Sequence, residues 1–367
     1  MDRRISIRDL AAMAGVSRTT VSLSLRDSHK ISPAVRQLVQ ELAAKHKYRS
    51  HPMVAALMQQ IRTKRAIQDE DVIAFITSDH TEDEWKKSPW VCELWNGAAE
   101  EAHKLGFRLE CYWAGPRAKN SSKLARVLYN RGIQGLVFAP MPWPHPELDF
   151  PWKHFVPMSC TASTGRMELP VVRSNHIYGV QLVLSRLIEL GAKSLGIVVT
   201  EGDDTRLGRA WSAGIHIFGL NYPQVHLDYL RLPHFNDFEN FAAWYERTRP
   251  DTVVSVRLEI VDFLEKLGAR PGKDTAFASL DVMTEDLGRT AGLYQDPAYL
   301  GRRALQYISK SIYDQSFGLP KHAESLLVEG RFVEGASLGP LLRNVSPAAP
   351  PPPVRKRRSS KVDVSTT

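Results

Sequence analysis

Gly15 stands between two short stretches whose apolar residues recur at helical spacing, and few arrangements other than helix, tight turn, helix accommodate that pattern. Ile7, Leu10, Ala11 and Ala14 share one face ahead of it, with Asp9 in the first turn, where an anion suits the helix dipole. Gly15 can take the positive φ of a tight turn, Val16 covers the corner, and Ser17 offers a hydroxyl to cap a second helix from Arg18 to Leu25. On that helix Val21 faces inward, while Arg18, Thr19, Ser22 and Leu23 are left facing outward. A third helix begins at Ser32 with Pro33 at its first position, and Val35, Leu38, Val39 and Leu42 form its expected core stripe. Helices this short need one another for a core.

Charge indicates what such a unit meets. Residues 1–66 hold thirteen Lys and Arg against four Asp and Glu, and residues 345–367 hold five against one. The stretch between carries thirty basic and thirty-five acidic residues, so the net charge of +8 is concentrated at the two ends. A basic module on a mildly acidic body is the pattern expected when one part meets a polyanion and the other does not.

Residues Ile5-Ser-Ile-Arg-Asp-Leu-Ala-Ala-Met-Ala-Gly-Val-Ser-Arg-Thr-Thr-Val-Ser22, then Ile31-Ser-Pro-Ala-Val-Arg36 and Tyr48, resemble the DNA-binding head of LacI/GalR regulators, with AGVS-x-x-TVS as the specific core. The resemblance implies that Arg18, Thr19 and Leu23 enter the major groove as base readers. Arg can fork onto guanine O6 and N7, whereas Leu touches only a thymine methyl, a departure from the polar residue often found there. Thr20, Ser22, Ser32 and Arg36 are then placed as contacts to the DNA backbone, which position without specifying sequence. His51-Pro-Met-Val-Ala-Ala-Leu-Met58 aligns with the family's hinge helix, so Met53 and Leu57 fall at the minor groove, Leu57 as a wedge that bends the duplex. Paired hinge helices imply a homodimer on double-stranded DNA with a pseudo-palindromic operator. The other reading of residues 53–61 is a plain linker helix with Met53, Leu57 and Ile61 as a packing stripe.

Beyond Asp71 the pattern changes to apolar runs alternating with helical segments. Strands are expected at 72–76, 107–113, 133–139, 195–199, 252–256 and 276–280, with helices at 94–105 and 183–190. Such alternation argues for parallel sheets wrapped by helices, with sites at the strand ends. The expected fold is an all-α helix-turn-helix headpiece plus an α/β body of two doubly wound parallel-sheet subdomains, and family resemblance makes that body periplasmic-binding-protein-like with three crossovers. The expected divisions are a headpiece at 1–49, a hinge or linker at 50–68, an effector-binding and dimerisation body at 69–344, and a disordered Pro-rich basic tail at 345–367.

Carried onto this sequence, the family's effector site implies Trp90 as a stacking aromatic, Arg257 where Asn is often found, and Asp281 as acceptor for ligand hydroxyls. Arg206 and Arg209 both stand near the family's ligand arginine, and spacing does not choose between them. Arg257 argues against a simple neutral sugar and for a sugar-related or acidic small-molecule effector, although an Asp281–Arg257 pair could equally be structural, and Trp90 could equally be core. No Walker A loop, HExxH, CxxC, GxSxG or strand-following GxGxxG is present, so no enzyme and no cofactor are expected. The twelve histidines are scattered, and Cys92, Cys111 and Cys160 are expected as buried thiols rather than metal ligands. No run reaches the roughly 18 apolar residues of a membrane helix, nor do residues 1–25 read as a signal peptide, so a cytoplasmic protein without membrane contact is expected. The expected function is a transcriptional regulator, acting as a repressor under effector control. The alternatives are a DNA-binding regulator without effector and a solute-binding protein, the latter disfavoured by the basic head.

Overall fold

A computed structural model describes residues 7–25, 31–46, 71–141, 147–160 and 169–342, and the chain divides into two compact units between residues 68 and 69. Tyr48, the hinge residues Met53 and Leu57, and the basic tail from 345 lie outside the described residues.

Among its described residues the first unit holds three helices, α1 (Ile7–Ala14), α2 (Arg18–Ser24) and α3 (Pro33–Lys45). Gly15 takes φ +64°, and Ser17 Oγ accepts from the Thr20 amide at 3.1 Å, so both the turn and the cap form as the residue types dictate. Leu10, Ala11, Val21, Val39 and Ala43 make the core, with Val35 and Leu42 packed on it. Leu38 does not join the stripe and is 44% exposed. One residue from Val39 is about 100° around a helix, which turns Leu38 off the face that α1 and α2 cover.

The second unit contains two lobes. The first comprises β1 (Asp71–Thr77), α4 (Pro89–Lys104), β2 (Phe107–Trp113), α5 (Ser121–Asn130), β3 (Gly135–Phe138), β4 (Val156–Ser159) and β5 (Val171–Ser174). The chain then crosses into α6 (His176–Glu189), β6 (Ser194–Thr200), α7 (Glu201–Arg206), α8 (Ala210–Asn221), β7 (His226–Leu232), α9 (Phe238–Thr248), β8 (Thr252–Ser255), α10 (Glu259–Lys266), β9 (Ala276–Val282) and β10 (Ala291–Tyr294). It returns through α11 (Pro297–Tyr313) to β11 (Ser325–Val328), and crosses a third time to β12 (Arg331–Val333) and the short α12 (Gly339–Leu342).

The strand orders are β11-β5-β4-β3-β1-β2 and β12-β10-β9-β8-β6-β7. Every pairing in the first sheet is parallel, while β12 runs antiparallel to β10 on the edge of the second. The inner strands β1, β3, β4, β6, β8 and β9 are buried on both faces, which is why they read as apolar runs without alternation. In β1, Ile73 and Phe75 pack against α4 and α11, whereas Ala74 and Ile76 turn to Leu124, Ala125 and Leu128 of α5. In β6, Ile197 and Val199 meet Trp211, Ile215 and Phe218 of α8, and Val198 meets Phe241 and Trp244 of α9. Each Val, Leu, Ile or Phe side chain so removed from water stabilises by about 1.5–3 kcal/mol before conformational entropy is set against it. Helices α4 and α11 touch backbone to backbone: a Cβ on Gly97 would lie 1.9 Å from the Ala298 carbonyl oxygen. Helix α11 thus completes the first lobe although it follows the second in sequence.

All three cysteines are free thiols, but only Cys160 is fully buried; Cys92 and Cys111 are half-buried, the latter because β2 is an edge strand. Among the described residues no helix is long and apolar enough to cross a membrane.

Candidate functional site

Two regions gather the residues singled out from sequence. In the first unit, Arg18 and Thr19 are exposed on the first turn of α2, and Ser22 and Leu23 are half-buried farther along it. Thr20 is engaged inside the head, its hydroxyl 2.9 Å from Ser17 Oγ. Ser32 is exposed at the start of α3 and makes no side-chain cap bond, and Arg36 is half-buried one turn on.

In the second unit, a polar cluster forms where the carboxyl ends of strands from both sheets meet the first turns of helices. Asp203, in the first turn of α7, accepts from Arg257 Nε at 2.7 Å and Nη2 at 2.6 Å, and from Thr200 Oγ1 at 2.7 Å. Burial works to raise the Asp203 carboxyl, but the bonds from Arg257 and Thr200 hold it below its ordinary range. Arg257 therefore pairs with Asp203, not with Asp281 as sequence suggested, because Asp203 lies in a helix turn beside the end of β8 while Asp281 sits on β9. Arg257 also lies 5.4 Å from the ring centre of the exposed Phe235.

Asp281 keeps one carboxylate oxygen without a hydrogen-bond partner, its backbone amide donating to Ser279 Oγ at 3.0 Å. Burial pushes its carboxyl up to about 7, with Arg206 and Arg257 opposing and Glu93 adding to the rise. Glu93 comes from the other lobe, on α4, and its Oε1 accepts from the Thr284 amide at 3.2 Å while Oε2 has no partner. Arg206 at the end of α7 is half-buried and 3.9 Å from Asp203. Arg209 is placed elsewhere: it is 51% exposed and bonds Glu201 at 2.7 Å, so of the two candidates only Arg206 joins the cluster. Trp90 is half-buried on the second residue of α4 and packs on the first lobe's core, the alternative weighed from sequence.

The sequence reading missed Thr77, Ser78, Glu93, Arg173, Ser174 and His176. All six carry a buried polar atom without a hydrogen-bond partner among the described residues. Burial, with Arg206 and Arg173 adding, lowers the His176 imidazole to about 3, so it is neutral. Its ring meets Trp211 edge-on at 5.8 Å. Native interiors leave few such groups unpaired, and a group of them at strand ends and helix starts has the chemistry to suit a polar ligand. Among the described residues no group of His, Cys, Asp and Glu could hold a metal ion.

Asp281 and His176 have opposite linkage to pH. With its folded value raised from 3.8 to about 7, Asp281 lowers stability as pH climbs between those values. With its folded value lowered from 6.5 to about 3, His176 lowers stability as pH falls between them. From about pH 4 to 6.5 the two slopes, at most about 1.4 kcal/mol per pH unit each, offset one another. Thermal melts of the ligand-free protein should therefore vary little with pH through this window. Asp281→Asn should make the midpoint climb with pH and His176→Gln should make it fall. Parallel profiles for the two variants would refute the assignment.

Comparisons fit this division. The sequence model of the family described as bacterial regulatory proteins, lacI family, matches residues 6–51. No curated protein matches the chain by sequence. A structure of a complex of the transcriptional regulator CelR with cellobiose is similar at TM-score 0.56 and 17% identity, covering 91% of this chain and 100% of that one. A lac repressor dimer bound to operator and the anti-inducer ONPF is similar at TM-score 0.54 and 16% identity, covering 92% and 99%. A periplasmic binding protein/LacI transcriptional regulator from Alkaliphilus metalliredigens QYMF, complexed with D-xylulofuranose, is similar at TM-score 0.53 and 11% identity, covering 73% and 99%. At these identities the likeness is one of fold.

Proposed function

We propose that this chain, whose residues 6–51 match the model of the lacI family of bacterial regulatory proteins, is a sequence-specific DNA-binding transcriptional repressor whose operator affinity is set by a small molecule bound between the lobes of its body. The observation that carries the DNA-binding half is the family match over a head that exposes Arg18 and Thr19 on a Ser17-capped helix. The effector half is supported by the unpaired polar atoms from both lobes, which a regulator without an effector would have no reason to leave unsatisfied. The solved structures of similar fold whose titles name cellobiose or D-xylulofuranose add to that support.

In this reading Arg18, Thr19 and Leu23 read bases, and Thr20, Ser22, Ser32 and Arg36 hold the DNA backbone. Met53 and Leu57 enter the minor groove of a pseudo-palindromic operator bound by a homodimer. Asp281, Arg206 and Arg257 take the effector, and Trp90 supports the wall behind them. Arg209 has no part in the effector site. The ligand shifts the angle between lobes only by the difference in its affinity for the two states, and so changes whether the head can engage DNA. The protein works without catalysis, as a regulator.

Selection of bound sequences from a random DNA pool tests the core of this reading, with a two-fold symmetric site expected. Recovery of no preferred sequence would overturn it. Arg18→Ala should relax preference at one base position, at a cost of about 1–3 kcal/mol for the preferred site. A uniform loss over all sequences would instead make Arg18 a phosphate contact. Leu57→Ala should weaken operator binding and reduce DNA bending together, and if neither changes, no wedge exists.

A further inference from the structure

Arg173 is the penultimate residue of β5, just before the chain first crosses between lobes. It is half-buried, its Nε has no hydrogen-bond partner, and no carboxylate pairs with it among the described residues. Burial holds its guanidinium below the ordinary range, although arginine remains charged at any working pH. A half-buried, unpaired guanidinium is costly unless something neutralises it, which makes its place in the cluster informative.

Neither nearby carboxylate is paired with Arg173. Asp203 is bound to Arg257 through two hydrogen bonds, and Glu93 is tied to the Thr284 amide. Arg173 and Arg206 both act on His176, whereas Arg173 is not among the charges acting on Asp281. Arg206 acts on Asp281 as well, so it stands between Arg173 and Asp281. Around the Arg173 end, Ser174 Oγ and His176 Nδ1 are also unpaired, and the start of the fourteen-residue helix α6 adds its positive dipole end. Thr77 and Ser78 at the end of β1 leave two further hydroxyls without partners, suited to ligand hydroxyls.

We propose that the effector is an anionic, hydroxyl-bearing small molecule, a sugar acid or sugar phosphate, whose anionic group is held by Arg173 together with Arg206. This rests on the reading of the cleft as the effector site. Arg173 supplies the specificity: a neutral sugar leaves its charge uncompensated, and an anion removes that penalty.

Calorimetric titration of the full-length protein with matched series of neutral hexoses, their uronates and aldonates, and their phosphates tests the proposal. At least one anionic member should bind, with its neutral parent at least a hundredfold weaker, and the uronate and phosphate arms separate the two sources of charge. Arg173→Gln should weaken the hit tenfold or more, and Arg173→Lys should retain most of the affinity. Without ligand, Arg173→Gln should melt no lower than the wild type, since an unpaired charge has been removed. Binding confined to neutral members, binding by none, or a hit indifferent to Arg173→Gln would overturn the proposal. A neutral hit lost in Asp281→Ala would remove only the anionic class and leave the cleft as effector site. A hit that survives Asp281→Ala would remove the reading beneath it.

Discussion

Gly292→Ala should destabilise the body by on the order of 4 kcal/mol or more and abolish effector binding with it. Gly292, the second residue of β10, takes φ +140°, a backbone conformation that L side chains rarely adopt, and a Cβ there would lie 1.9 Å from the Ser279 oxygen and 2.6 Å from its nitrogen. Neither contact is with a side chain that can swing away. The strand pairing between β9 and β10, whose register shifts just after Gly292, would have to open. Asp281 lies two residues past Ser279 on the same strand, so displacement of β9 carries the acceptor out of the cluster. Gly288→Ala is the control: it too has positive φ, but nothing lies within 4 Å of its Cβ, so only backbone strain of about 1–2 kcal/mol is expected. Denaturant midpoints and ligand titrations on the two variants check the contrast. Equal losses would show that the close approach of β10 to β9 is not what demands glycine.

Asp203→Ala should come next in size. It removes the acceptor for both Arg257 hydrogen bonds and for Thr200 Oγ1, and strands a guanidinium that is 38% exposed. Breaking a fully buried pair costs about 3–5 kcal/mol; with Arg257 partly solvated, about 2–3 kcal/mol is expected. Effector affinity should fall at least a hundredfold because Arg257 loses its fixed orientation. The double variant Asp203→Ala with Arg257→Leu should regain most of the stability and none of the binding. Recovery of binding in the double variant would make the pair structural.

The head was almost wholly legible because its signals are local. Gly15, Ser17 and Pro33 each dictate a backbone event within a few residues, and the structure places them as expected apart from the outward turn of Leu38. Strands β1, β2, β3, β6, β8 and β9 were legible too, as apolar runs, whereas the four-residue β4, β5, β10 and β11 did not stand out and the seven-residue edge strand β7 was hidden by His226, Asp228 and Arg231. The cleft was legible only in part, since its pairings are long-range. Arg257 finds Asp203 from 54 residues away, and periodicity carries no such information. Asp203 did leave a trace, because Thr200-Glu-Gly-Asp203 is a capping pattern that ties the carboxylate to the end of β6. Arg173 left another, a lone cation closing the apolar run Val171-Val172. Neither could be read as a site without the second lobe beside it.

The three crossings between lobes all leave or enter one flank, beside the β11–β5 edge of one sheet and the β12–β10 edge of the other. Mechanically, three short tethers on one flank make a hinge with a lever attached. Counting neighbours at about 4.8 Å, β1 stands three strand spacings, or about 14 Å, from β5. A swing of about 10° at the flank then carries β1 through about 2.5 Å, several times what it moves β5 itself. Asp71, the first residue of β1 and the point at which the body takes over from the head in sequence, rides near the long end of that arm.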